Sequence, residues 1–526
     1  MTPYRPIMHR YVILALLLLA RAAAAADLTL GVQVEPTALD PHFANVDTNN
    51  AVALHFFTPL VVRNERLEPK PGLATAWRLV DDTTWEFTLR RGVTFHDGSP
   101  FTAEDVKFSI ERARTIPNSP SPLTVYVRQI TGIEIVDPYT VRLRTAEVFP
   151  LMPIFMGTFV MVSKKAAEGL TTAELNAGRG LVGTGPFRFV EWVRGDRLVM
   201  ERFDGYWGDK PAWDKVVMRP IPSAPARLAG LLSGTVDLID FVPTTDLPRL
   251  AQRPDIALSQ GVTCRLIYLS LDVDRAVSPF VTDRAGQPLA SNPLRDARVR
   301  RALSLAIDRD GIARRLMDGA SAPTLQIMPE RMYGHVADIP ASRLDAAEAR
   351  RLLAEAGYDK GFGLTLHVPQ NRYVNDVKTM EAIAQMLQRI GIEAKVETVP
   401  VATFFTRSSQ REFSAFMIGF GLVTGEPGSF LALALQTYDA QRQIGGGNRG
   451  RYSSAAVDAV IDQALRTVDD GARLALLQRA TRMAVVDDAA IVPLHHQVHT
   501  WAMRKGLKIV TRTDEYTLAQ DVTPAN

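Results

Sequence analysis

Apolar and polar positions along this chain follow two different periods. Trp85, Phe87 and Leu89 are set between Glu86, Thr88 and Arg90, a period of 2 that predicts a strand with one buried face. Gly92 and the run His96-Asp97-Gly98-Ser99-Pro100 then supply turns. Thr102 ahead of Ala103-Glu104-Asp105, with Val106 and Ile110 following, predicts a helix with a polar N-cap and an acidic first turn. This block forms a small α+β unit. The later half is more regular. A helix from about Leu344 carries Leu352 and Leu353 and stops at Gly357, where positive φ is needed. Leu364 to Val368 follows as a strand, a helix from about Asp376 to Ile390 ends at Gly391, and Ile392 to Val399 alternates as a strand again. Strand, helix, strand at these spacings predicts a βαβ crossover in a parallel or mixed sheet, whose ligands bind beyond the carboxyl ends of the strands.

Composition narrows the class. With 526 residues, 46% apolar and 22% charged, the chain is ordinary globular protein rather than collagen-like, coiled-coil or disordered. Its 57.9 kDa exceeds what one hydrophobic core supports, so two or three domains with a cleft between them are expected. The formal charge of +3 is misleading, because the first 26 residues hold Arg5, Arg10 and Arg21 and no acid, and without those arginines it is zero. A neutral remainder argues against nucleic acid or an anionic membrane as partner.

That first segment reads as a secretory signal over residues 1–26. Arg5 and Arg10 precede the apolar run Tyr11 to Ala20, and Ala24-Ala25-Ala26 offers small residues before Asp27. An uncleaved anchor would need about 20 apolar residues, and Arg21 interrupts too early. The later apolar run from Phe413 to Val423 is too short to span a bilayer. One cysteine, Cys264, makes no intrachain disulfide, and no cysteine follows the apolar run to take a lipid. These features fit a large, freely diffusing periplasmic protein of a double-membraned bacterium.

Several blocks, in order along nearly the whole chain after Asp27, carry a resemblance. They include Leu39-Asp-Pro-His42, Pro71-Gly-Leu-Ala-Thr-Ala-Trp77, the stretch from Trp85 through Asp105-Val106, and Gly183-Thr-Gly-Pro-Phe187. Gly205-Tyr-Trp207, Arg295 to Arg300 with Ala306 to Arg309, Ala354 to Tyr358, and Asn448-Arg449 with Tyr452-Ser453 continue it. The chain resembles the family 5 solute-binding proteins of ABC importers, receptors for dipeptides, oligopeptides and nickel chelates. The resemblance implies a two-lobed, hinged α/β fold of the type II periplasmic-binding-protein kind with an extra inserted α+β domain. Lobe I would comprise 27–62, 182–264 and 493–526, the inserted domain 63–181, and lobe II 265–492. It also implies a monomer that captures a small polar solute, a peptide or peptide-like molecule, without a cofactor, and hands it to an ABC permease and its ATPase.

Peptide-binding members hold the ligand's ammonium with an Asp in a motif of the type Gly-Trp-x-x-Asp-x-x-Asp-Pro. The matching stretch here is Gly419 to Pro427, in which Val423 stands at the position of that Asp and Glu426 is the nearest substitute. A buried ammonium without a counter-ion costs several kcal/mol, so a free peptide N-terminus is not held there in the usual way. For the ligand's carboxylate, Arg372 offers a planar fork, although Gln370 occupies the matching column. Tyr373 and Phe420 are stacking candidates, and Asn448, Arg449 and Tyr452, after Gly445-Gly446-Gly447, form a second tier.

Rival chemistries have weaker support. His495 and His499, on one face of a strand, would stand about 13 Å apart, too far to grip one ion, and His496 faces the other way. No metal site is expected. Gly178-x-Gly180-x-x-Gly183 spells a dinucleotide motif but leads into the alternating strand Phe187 to Trp192 instead of a helix. No nucleophile elbow or phosphate loop occurs, so the protein is not expected to be an enzyme. The alternative is an exported hydrolase or ligand-sensing protein on the same fold.

Overall fold

A computed structural model describes residues 26–525. Except for Ala26, the segment read as a secretory signal lies outside the described residues. Among the described residues no helix is long and apolar enough to cross a membrane.

Two long strands organise the molecule. Ile256–Leu271 and Ile491–Arg504 pair antiparallel from Ile256 opposite Arg504 to Ser270 opposite Ile491. At one end of this ribbon, Leu238–Ile239 pairs with Ile491–Arg504 and leads on to Asp27–Val32, Lys215–Pro220, Arg197–Arg202 and Phe187–Val193. At the other end, Ala415–Gly421 pairs with Ile256–Leu271 and leads to Gly363–Gln370 and its parallel neighbour Glu393–Pro400. The result is one 12-stranded sheet shared by two lobes. Between the halves the ribbon's register shifts, at Val262 to Leu266 and again at Ile267 to Tyr268. Such bulges twist a ribbon locally and weaken its ladder, which suits a bending point.

Each lobe has its own core. Leu30, Phe56, Phe187, Met200, Leu238 and Trp501 pack together on one side of the ribbon. On the other side Leu303, Leu364, Leu366, Ile383, Leu387 and Met417 fill one face of the half-sheet, and Phe404, Phe416, Phe430, Leu435 and Ile461 fill the opposite face. The predicted βαβ unit lies here as Gly363–Gln370, Asp376–Gln388 and Glu393–Pro400, and Gly357 and Gly391 end their helices at φ +86 and +95. A third body has a four-stranded antiparallel sheet covered by the helix Ala103–Thr115, with Phe87, Phe95, Phe101, Val106 and Leu143 in its core. Val160, Val162, Leu175 and Leu181, which follow it in the chain, pack into the core of the first lobe.

The blocks that carry the resemblance weld this third body to the first lobe. Asp40 accepts two buried bonds from the Arg112 guanidinium at 2.8 and 2.7 Å and a partly buried one from the Thr172 hydroxyl at 2.7 Å. His96 lies 3.0 Å through Nε2 from the Gly185 carbonyl, and its Nδ1 accepts from the Gly183 N–H at 3.3 Å. Those glycines are required by close approach, since a Cβ on either would fall on the Phe56 backbone.

Candidate functional site

Both half-sheets aim strand ends at the gap between the lobes. In the first lobe the parallel strands Asp27–Val32, Lys215–Pro220 and Leu238–Ile239 run toward it and deliver Gln33, Met218 and the segment Asp240 to Thr245. In the second, Gly363–Gln370 and the parallel strand Ala415–Gly421 deliver the loops after Gln370 and after Gly421. Open α/β sheets collect ligands at such ends. Two adjoining cavities fill the gap, one of about 690 Å³ against Arg372, Tyr373 and Lys378, the other of about 710 Å³ against Phe420 and Val423. Asp47 lies on the wall of both. Each is large enough for a small ligand.

The first chamber is the polar one. Its second-lobe wall is a rigid loop, because Asp376 accepts from the backbone N–H of Arg372 and Tyr373 at 2.8 and 3.0 Å and from that of Val377 at 2.8 Å. Asn371 and Asn375 take left-handed φ of 61 and 51, which Asn tolerates better than most side chains. The Tyr373 hydroxyl accepts from the Gly419 N–H at 2.8 Å, and the Arg372 guanidinium lies 5.1 Å from the Tyr373 ring centre. Neither Arg372 nor Lys378 has a carboxylate within ion-pair distance among the described residues. Asn375 donates across the gap to the Thr244 hydroxyl at 3.0 Å.

The first-lobe wall treats charge in the opposite way. Arg265, in the bulge of the long strand, bonds Glu515 at 2.8 Å and Asp47 at 2.9 Å. Burial opposes its charge, but those two acids outweigh the burial and raise its pKa. Asp240 is pushed up to about 7 by burial, against the pull of Arg227 at 3.6 Å and the Gln33 N–H at 2.9 Å. Asp514 is held by Arg512 at 2.7 Å. The Tyr516 hydroxyl also lies on this wall, buried and without a partner.

The chamber of about 710 Å³ is mostly apolar. Tyr126, Phe149 and Phe155 from the third body face Phe420, Val423 and Leu433 from the second lobe. Its carboxylates are Asp47, Glu147 and Asp462, and Arg466 and Arg442 pair with the latter two at 3.1 and 3.3 Å.

Residues 68–442 match the family model of bacterial extracellular solute-binding proteins, family 5. The chain belongs to that family. It is 27% identical over 501 residues to the dipeptide-binding protein of Escherichia coli strain K12, covering 90% of each chain. It is 29% identical over 470 residues to a glutathione-binding protein of Salmonella choleraesuis, covering 87% of each. Among solved structures, a periplasmic binding protein of Helicobacter pylori in complex with the peptide STSA superposes with a TM-score of 0.76, at 24% identity, over 95% of this chain and 98% of that one. Family 5 relatives of this kind bind solutes.

The structure of this family 5 protein separates the nine residues singled out in the sequence. Arg372 and Tyr373 line the polar chamber, and Phe420 and Val423 the apolar one. Gln370 ends its strand exposed, off both walls. Glu426 is turned inward, 1% exposed, and bonds Arg473 at 2.6 Å and the N–H of Gly428 and Ser429 at 2.8 and 3.1 Å. Asn448 braces its own loop, donating to the carbonyls of Gln436 and Tyr452 at 3.0 and 2.7 Å and accepting from the Tyr452 N–H at 3.0 Å. Tyr452 is buried with its hydroxyl on Asp488, and Arg449 reaches the Ser409 hydroxyl at 3.3 Å. Neither lines a chamber. These five side chains spend their polar atoms on the fold or stand off the cavities.

Sequence reasoning passed over Lys378, Asp240, Asp47 and Arg265. Two of them had a usable signal: Lys378 follows Arg372 in the first turn of the next helix, and Asp240 directly follows a strand. Among the described residues no three His, Cys, Asp or Glu side chains converge as a metal site. His496 instead lies 2.9 Å from the Ile327 carbonyl, and His499 packs between Phe241 and Trp501 at 4.3 and 4.1 Å.

Proposed function

We propose that this protein is the extracytoplasmic receptor of an ABC importer, closing its two lobes around a small solute and presenting it to a permease and ATPase complex. The observation that carries this reading is the two-chambered gap between half-sheets joined by a bulged ribbon. A ligand touching both walls favours the closed form by its difference in affinity for the two forms, and moving from about 1% to 99% closed takes about 5.5 kcal/mol. Release then needs no covalent step.

Export by the segment 1–26, a periplasmic location and a monomeric state belong to this reading. So does the division into 27–62, 182–264 and 493–526 as lobe I, 63–181 as the inserted domain and 265–492 as lobe II, with 160–181 lying against lobe I. In the site, Arg372 would hold an anionic group of the solute, Tyr373 would fix the loop that presents it, and Phe420 and Val423 would contact its apolar part. The relatives' names point to peptides and peptide-like molecules.

A thermal-shift panel of peptides and metabolites tests this. A ligand at about 100 times its Kd stabilises a receptor by about 2.7 kcal/mol. It should be recovered intact, and X-ray scattering should report a smaller radius of gyration when it is bound. Conversion of the ligand, or binding with no change in scattering, would overturn the proposal.

A further inference from the structure

Every carboxylate lining the two chambers is already matched by an arginine, whereas three lining cations have no acid. In the polar chamber Asp47 and Glu515 share Arg265, Asp514 has Arg512, and Asp240 has Arg227. In the apolar chamber Glu147 has Arg466 and Asp462 has Arg442. Without an acid among the described residues are Arg372 and Lys378, both on the second lobe and both facing the polar chamber, and Arg128 on the wall of the apolar chamber, whose guanidinium donates to the Gln443 side-chain oxygen at 3.4 Å. An ammonium entering either chamber would have to compete with a resident guanidinium for any acid it met. An anion entering the polar chamber would meet cations that nothing else satisfies, and the planar Arg372 fork suits a carboxylate.

The second chamber adds the other half of the ligand. It adjoins the first at Asp47 and is walled by the rings of Tyr126, Phe149, Phe155 and Phe420 with Val423 and Leu433. Filling about 710 Å³ of such a space with apolar groups releases water from both surfaces. Val423 stands on this wall, at the position where the resemblance puts the amine-binding Asp of the peptide receptors.

Taking the receptor reading as given, we propose that the solute is an amphipathic anion with no free amine: an N-acylated amino acid or short peptide whose carboxylate meets Arg372 and Lys378 and whose acyl chain fills the apolar chamber. Lys378 is then a specificity residue together with Arg372, and Val423 selects against the ammonium.

Four probes built on one dipeptide test this by calorimetry on the mature protein: Leu-Phe, N-octanoyl-Leu-Phe, and the C-terminal amide of each. The acylated acid should bind at least tenfold more tightly than Leu-Phe and at least tenfold more tightly than its own amide. R372Q/K378Q should abolish the gap between acid and amide, with its unfolding midpoint checked by calorimetry. V423D, which leaves both cations in place, should shift preference toward Leu-Phe. Equal or tighter binding of Leu-Phe, or equal binding of the acylated acid and amide, overturns the proposal while leaving a receptor. If none of the four binds, the proposal also falls. Scattering in the presence of a small-molecule extract then decides the receptor reading separately, since closure keeps it and an unchanged profile removes it.

Discussion

Charged side chains meet opposite treatment in two parts of the second lobe. Behind the loop after Gly421, Glu426 and Arg473 face each other at 2.6 Å with side-chain exposures of 1% and 5%. In the loop after Gln370, Arg372 is exposed to the cleft, and its guanidinium has no carboxylate within ion-pair distance among the described residues. Both are polar residues in loops at strand ends, the setting from which ligand contacts are expected. The difference lies in whether the fold has already supplied a partner. A buried pair is complete and specifies the loop, while an open cation waits for something from outside. The sharpest test is therefore to break each kind and ask whether stability or binding suffers.

The largest effect is expected at the completed pair. Glu426→Gln keeps one of the two oxygens that accept from the Gly428 and Ser429 N–H groups, replaces the other with an NH2 donor, and leaves the Arg473 charge buried without compensation. Removing one partner of a buried pair costs about 3–5 kcal/mol. Denaturant unfolding should show a loss of that order, and ligand affinity per folded molecule should change little. A variant as stable as the parent but defective in binding would return Glu426 to the ligand site.

Next comes a charge forced where no partner exists. His499 sits between Phe241 and Trp501 with neither ring nitrogen hydrogen-bonded, and burial lowers its pKa to about 3. In the unfolded chain it titrates near 6.5. Between those values the unfolded state binds more protons, so stability is lost as pH falls below about 6.5. His499→Phe removes this penalty, and its stability relative to the parent should rise by about 2 kcal/mol between pH 8 and pH 5. Urea titrations at the two pH values measure the difference, and a constant difference would mean that His499 takes up its proton in the fold as readily as in the unfolded chain. His495, lowered to about 3 by burial in the same strand, should add to the parent's acid sensitivity.

The open cation should behave in reverse. Arg372→Ala is expected to change apo stability by less than about 0.5 kcal/mol, as an unpaired surface side chain does. It should weaken an anionic ligand at least about tenfold, or 1.4 kcal/mol. A stability loss without a binding loss would place Arg372 with Glu426 instead.

How much of this was legible beforehand follows from the same distinction. Local periodicity carried the βαβ unit, because Gly357, Gly391 and the alternating strands are short-range signals. The ordered blocks carried the family, and the structure gives them a mechanical reason: Asp40 on Arg112 and His96 on Gly183 and Gly185 join one body to another. Motifs that hold the scaffold identify a family without identifying its ligand. The site was harder to read because partnership is long-range. Glu426 finds Arg473 across 47 positions, and no local pattern separates it from Arg372. Asp47 and Arg265, 218 positions apart, meet only once the sheet is assembled.

The smallest effect concerns contacts that cross the cleft at its rim. Arg466 reaches Glu147 at 3.1 Å, with side chains 58% and 71% exposed, so solvent screens most of the attraction. Such a pair is worth no more than about 0.5 kcal/mol. Because it joins the third body to the second lobe, on the receptor reading it contributes to closure rather than to folding of either lobe. Arg466→Ala should therefore leave the unfolding midpoint unchanged and weaken ligand by about twofold at low salt. The deficit should shrink as ionic strength rises toward 0.5 M, where the Debye length falls to about 4 Å. A deficit independent of salt would mean that Arg466 touches the ligand itself, and it would then join Arg372 among the groups that the fold leaves open.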